Sequence, residues 1–193
     1  MTRLLVAGVG NIFLGDDAFG PEVIRALGPR PLPDGARVRD YGIRGMDLAY
    51  TLLDGWSVVV LVDAAARGER PGTLSLVEPE LPDGASAAPP EAHGMDPAKV
   101  LALAAHLGDE PLPRVLVLAC EPGELPRGDE DIAPGLSEPV RDAVARAVTA
   151  LHQLVPALLA DPLGTPALDR PEESAAPAAA GRPPTTGGGT EDH

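Results

Sequence analysis

The chain has 193 residues, with 29 acidic against 15 basic side chains, a net charge of −14 and a single cysteine. That length predicts one domain that buries about two-thirds of its unfolded surface, so neither a metal nor disulfides are needed for folding. One cysteine excludes an internal disulfide framework and suits a reducing compartment, and the negative charge works against nucleic acid, anionic membranes and polyphosphate substrates. No basic segment leads into an apolar one near Met1, and no apolar run reaches the roughly 18 residues of a membrane span. The expectation is a cytoplasmic protein with neither nucleic-acid nor membrane partners.

Strand and helix patterns alternate along the chain. Leu4–Val9 is an unbroken apolar run of strand length, as in a strand covered on both faces. A glycine-rich turn and two adjacent acids, Asp16 and Asp17, follow it, and a helix is predicted over Gly20–Leu27 with Pro21 at its first position. Gly28-Pro29-Arg30-Pro31 ends that helix. Arg37–Tyr41 reads as a second strand and Met46–Leu53 as a helix. Trp56–Val62 is the most strand-like run of all and leads directly to Asp63. Thr73–Val77, bracketed by Pro71 and Pro79, reads as an edge strand.

Residues 78–92, rich in Pro, Gly, Ser and Ala, read as a loop leading to His93. Asp96 and Pro97 then supply an N-cap and a first-position proline for a helix to about His106. Arg114–Ala119 is the last buried strand. Ser137-Glu138-Pro139 opens a long helix to about Leu159, with Val140, Val144, Val148, Leu151 and Leu154 on one face and Pro156 expected to kink it or end its regular part. Beyond it the composition turns to Pro, Gly, Thr, Ala and Glu, so the expected organisation is one domain over residues 1–160 and a disordered tail over 161–193. The alternation predicts a three-layer αβα sandwich around a mostly parallel, twisted sheet. With the first strand central, ligands would bind beyond its carboxyl end, where the Asp16-Asp17 loop would lie beside Asp63.

A glycine turn after an N-terminal strand first suggests a dinucleotide site, G-x-G-x-x-G. Gly8 and Gly10 fit, but Phe13 stands at the third position and the helix begins about ten residues late. No Walker lysine follows, since Lys99 is the only lysine in the chain. Two acids in the loop favour a cation or a proton transfer over a phosphate.

Three residues from three loops then remain for chemistry. Asp63 follows a buried run, where an uncompensated carboxylate is unfavourable; it either opens a turn and caps amides or stands at the sheet's carboxyl edge. His93 sits in the loop Glu91-Ala92-His93-Gly94-Met95-Asp96, whereas His106 and His152 lie in helical patterns and His193 in the tail. Asp17, Asp63 and His93 could form an open N/O metal site for zinc, nickel, iron or manganese, or a general base with an orienting partner. Their spacing is not the helical His-Glu-x-x-His pattern. No G-x-S-x-G elbow is present, and Cys120 follows a buried strand with no base evident beside it.

These residues resemble the hydrogenase maturation protease family, endopeptidases that trim the large-subunit precursor of nickel–iron hydrogenases. Gly8-Val9-Gly10-Asn11-Ile12-Phe13-Leu14-Gly15-Asp16-Asp17, running on to Gly20, is similar to the family's first motif, with Asp17 at its acidic metal-binding position. Val58-Val59-Val60-Leu61-Val62-Asp63 resembles the strand ending in the second acidic ligand, and His93 the histidine ligand. Cys120-Glu121-Pro122 and Gly135-Leu136-Ser137 match later features of lower specificity, and the resemblance spans about residues 3–155. Ala18 departs from the glycine of many members. Asp40-Tyr41-Gly42-Ile43-Arg44-Gly45-Met46, a region the family uses for partner discrimination, lacks the glycine-threonine pattern of some members and leaves the cognate hydrogenase open.

The resemblance implies an αβα fold and removal of a C-terminal extension from a nickel-loaded precursor, with Asp17, Asp63 and His93 both approaching that nickel and serving catalysis. The metal would arrive with the substrate, and no nucleotide is implied. The alternatives are a peptidase that carries its own zinc or manganese and acts on another precursor, and a non-catalytic maturation chaperone that binds a metal-loaded partner.

Overall fold

The computed structural model describes residues 2–29, 31–80, 97–123, 125, 132 and 134–168. Five strands, β1 (Leu4–Val9), β2 (Ala36–Gly42), β3 (Val58–Ala64), β4 (Leu74–Val77) and β5 (Arg114–Cys120), form one sheet in the order β2-β1-β3-β5-β4. The first four strands of that order are parallel, and β4 runs antiparallel to β5 at the edge. The helices are α1 (Phe19–Leu27), α2 (Gly45–Leu52), α3 (Pro97–Leu107) and α4 (Glu138–Ala160), and a 3-10 turn over Gly15–Ala18 precedes α1.

The sheet is mostly parallel and covered on both faces, as the alternation predicts. Period-two strand geometry sends successive side chains to opposite faces. Leu4, Val6, Val58, Val60, Val62, Leu116 and Leu118 therefore meet α1 and α4, through Phe19, Val23, Val140, Ala147, Leu151 and Leu154. Leu5, Ala7, Val9, Val59, Leu61, Val115 and Val117 meet α2 and α3, through Leu48, Leu52, Val100 and Leu101. Each such large aliphatic side chain contributes roughly 1.5–3 kcal/mol on burial, which makes these two layers the main source of stability.

Helix α4 runs to Ala160, one residue past the expected end near Leu159; Pro156 lies inside it and does not end its regular part, and Leu158 is buried beyond the proline. A proline removes one amide and crowds the preceding turn; burial of Val155 and Leu158 on the core offsets that loss. Asp63 does not open a turn, because it lies within β3 opposite Ala119 of β5. On the other side the β1–β3 ladder ends at Gly8–Val62, so at Asp63 β3 is paired on one side only.

Beyond α4, Arg114 at the start of β5 holds the chain. Its guanidinium donates to the carbonyls of Pro162 at 2.8 Å and Gly164 at 2.7 Å and pairs in bidentate fashion with Glu78 at 2.9 and 2.8 Å. Leu168 packs against the α1–α4 side of the core. Residues 169–193 lie outside the described residues.

Candidate active site

The chain leaves β1 for β2 on one side, then returns to place β3 on the other side of β1. Open α/β sheets bind ligands at such a switch point, outside the carboxyl ends of the strands. The start of α1 is lodged there. A Cβ on Gly20 would lie 2.2 Å from the Val9 carbonyl oxygen and 2.3 Å from that of Val62, so only glycine lets the helix sit so close to both strand ends. Gly20 thus supplies the close helix–strand packing of a dinucleotide motif's third glycine, at a longer spacing.

The extra residues fold into a loop that presents Asp17. Gly10 has φ +129°, and a Cβ on it would fall 1.9 Å from the Asp17 carbonyl oxygen. The Asn11 amide donates to Asp17 Oδ2 at 2.6 Å, and the Asp17 amide donates to the Leu14 carbonyl at 3.2 Å. Asp17 is partly buried, and desolvation pushes its carboxyl above the ordinary range although the Asn11 hydrogen bond opposes this. The 3-10 turn that carries it rests against β3, whose Asp63 is only 5% exposed.

Asp16 has a different role from its neighbour. At 1% exposure, its Oδ1 accepts the Ser137 amide at 2.7 Å, and its Oδ2 accepts the Ser137 hydroxyl and the Gly123 amide, each at 2.8 Å. Ser137 occupies the N-cap of α4 as the sequence suggests, yet its hydroxyl does not cap the helix. The anion of Asp16 sits at that helix start instead, where the macrodipole favours it.

His93 lies outside the described residues, as does Asp96, while α3 begins at Pro97 as expected. His106 is exposed at the end of α3, and His152 bonds through Nδ1 with the Val148 carbonyl at 2.8 Å along α4. Cys120 is buried, and burial pushes its thiol up to about 12, against the attraction of Arg146; such a thiol is not a nucleophile at neutral pH. Among the described residues no three His, Cys, Asp or Glu side chains gather as a metal-binding group. Asp63 lies near the end of β3, and Asp17 lies on the turn between β1 and α1 that rests against β3.

Two features had no role assigned from sequence. Glu121, named only within the Cys120-Glu121-Pro122 motif, is buried and accepts the Arg67 amide at 2.6 Å and the Gly68 amide at 3.2 Å. Several apolar side chains on the β1 loop and the β2–α2 segment are exposed, Phe13 57% and Ile43 64%, with Ile12, Met46 and Tyr50 exposed as well. The Gly10 amide donates to the Gly42 carbonyl at 3.1 Å and ties these two segments together.

Comparison with known proteins agrees with this architecture. Residues 21–154 match the family model described as hydrogenase maturation protease, a span that includes Asp63 and His93 and begins just after Asp17. The chain is 34% identical over 194 residues to the hydrogenase expression/formation protein HupM of Azotobacter chroococcum, covering 90% of this chain and 89% of that protein. The hydrogenase maturating endopeptidase HybD of E. coli superposes with a TM-score of 0.60 at 25% identity, covering 81% and 92% of the two chains. A hydrogenase 2 maturation peptidase from a Thaumarchaeota archaeon superposes at 0.59 with 32% identity, covering 80% and 99%. By its strand order, its helix layers and these matches, the chain belongs to the hydrogenase maturation protease family.

Proposed function

We propose that this chain is an endopeptidase that removes a C-terminal extension from the nickel-loaded precursor of a nickel–iron hydrogenase large subunit. Asp17, Asp63 and His93 are the residues assigned to the substrate's nickel. The observation that carries the reading is the placement of two carboxylates: Asp17, partly buried, on the turn between β1 and α1 that rests against β3, and Asp63, buried, near the end of β3. Burial disfavours the charge on Asp17, and a divalent cation brought to it would relieve that penalty. Carboxylate and imidazole donors suit nickel.

In hydrolysis, water adds across the scissile peptide bond: the carbonyl carbon takes hydroxide and the departing amine takes a proton. One of the two carboxylates accepts the proton of the attacking water. The exposed side chains of Ile12, Phe13, Ile43, Met46 and Tyr50, on two segments joined by the Gly10–Gly42 hydrogen bond, support docking of a polypeptide, since exposed apolar surface marks such sites.

The test is incubation with nickel-loaded precursor followed by intact-mass measurement. The precursor should lose the mass of its extension. A precursor that forms a complex but keeps its full mass would establish the chaperone alternative. A full equivalent of tightly held zinc in the purified protein would establish the self-metallated peptidase.

A further inference from the structure

Two further buried carboxylates attach to the segments that carry the candidate site acids: Asp16 adjoins Asp17, and Glu121 binds the Arg67 and Gly68 amides that follow Asp63. We infer that Asp16 and Glu121 are positioning residues: Asp16 fixes the turn that presents Asp17, Glu121 fixes the chain leaving Asp63, and residues 121–123 couple the two. The inference rests on the proposed function and assigns roles within that site.

A carboxylate removed from water is tolerated where donors replace its hydration. Here the donors are chiefly backbone amides distant in sequence, so the carboxylates cross-link main chain. Asp16 binds Gly123 and Ser137 across separations of 107 and 121 residues. Glu121 reaches back 54 residues to Arg67 and 53 to Gly68, immediately beyond the β3 strand that ends with Asp63 and Ala64. Its own backbone is held by the Gly72 amide, which donates to the Glu121 carbonyl at 2.7 Å, and by donation to the Thr73 carbonyl at 2.9 Å. The Ala65 amide donates to the Cys120 carbonyl at 3.0 Å and continues the same attachment.

Gly123 closes the circuit. It stands two residues after Glu121 and gives its amide to Asp16, and a Cβ on it would lie 3.3 Å from Asp16 Oδ2 and 3.2 Å from Ser137 Oγ. The segment 121–123 therefore carries one positioning carboxylate and binds the other. A shift in either loop is transmitted to the other through three residues of backbone. Two acids far apart in sequence are held in one frame.

The test uses the full chain with Asp16→Asn, Glu121→Gln and the double variant. Each substitution keeps shape but turns an accepting oxygen toward donors as an amide nitrogen. Each single variant should lower kcat for precursor processing by about tenfold or more, with KM within about twofold because the docking surface is intact. The double variant should lose less than the product of the single losses, as residues in one unit do. Amide exchange supplies a reading independent of cleavage: Glu121→Gln should speed exchange at Arg67 and Gly68, and Asp16→Asn at Gly123 and Ser137.

Wild-type kcat in either folded variant overturns the inference, as do unchanged amide exchange or strictly multiplicative losses. If Asp16→Asn does not fold, Ser137→Ala removes one donor and should give a smaller fall in kcat at unchanged KM; an unaffected kcat there also overturns it. A wild-type protein that leaves the precursor uncut defeats the proposed function alone, while amide exchange still reads the two attachments.

Discussion

The carbonyl oxygen of Asp17 lies 1.9 Å from the position that a Cβ on Gly10 would occupy. The exit of β1 and the turn that carries the acid are thus packed backbone to backbone. Gly10→Ala must displace one of them and must also adopt φ +129°. Strain and overpacking together predict a loss of at least about 2 kcal/mol. Urea unfolding should show it, with loss of processing even where the variant folds, because Asp17 is moved.

Replacing Asp17, Asp63 or His93 with alanine should lower processing by at least about a hundredfold while leaving the far-ultraviolet circular dichroism unchanged. Normal processing by Asp63→Ala would remove Asp63 from the site. The precursor mass assay reads this directly.

Glu78 supplies a pH dependence. The hydrogen bonds from Arg114 hold its carboxyl below the ordinary value of 4.5, with burial opposing and the charge of Arg114 adding. Its folded carboxylate therefore stays ionised where the unfolded one protonates. The pair's stabilisation is complete above 4.5 and is lost as pH falls from there through the lowered value. Glu78 is half exposed, so the effect is at most about 1 kcal/mol. Glu78→Gln should flatten that part of the urea midpoint's acid dependence, measured at pH 6 and about pH 4.

Cys120 is buried, with its thiol pushed up to about 12. Iodoacetamide at pH 8 should leave the native protein unmodified and add one group in urea, read by mass. Cys120→Ala should process precursor normally.

Deleting residues 169–193 should leave stability and processing unchanged. Deleting from residue 161 onward is different, because it strips Arg114 of the Pro162 and Gly164 carbonyls and removes Leu168 from the core. A thermal unfolding temperature lowered only in the longer deletion is the expected result.

Apolar runs and periodicity made β1, β3 and β5 legible within a residue or two, because a strand covered on both faces has little choice of side chain. Proline and serine marked the start of α4, and the two prolines marked β4 as an edge. The end of α4 near Leu159 was legible too, whereas its regularity through Pro156 depends on the packing of Leu158, which lies outside any local window. The motif named Glu121 but not its partners, because its donors at Arg67 and Gly68 are more than fifty residues away.

The sequence alone determined the layered α/β class, the late start of α1 and the candidate acids, because these depend on local composition and spacing. The motif had already singled out Asp17 as the candidate ligand; tertiary structure alone decided what Asp16 binds. Nothing in the residue type or neighbourhood of Asp16 names its partners. Only when the chain folds do Ser137 and Gly123 bring their donors to Asp16, leaving Asp17 on the turn beside β3. Hydrogen-bond donors arriving across more than a hundred residues are a property of the fold, and no local pattern encodes them.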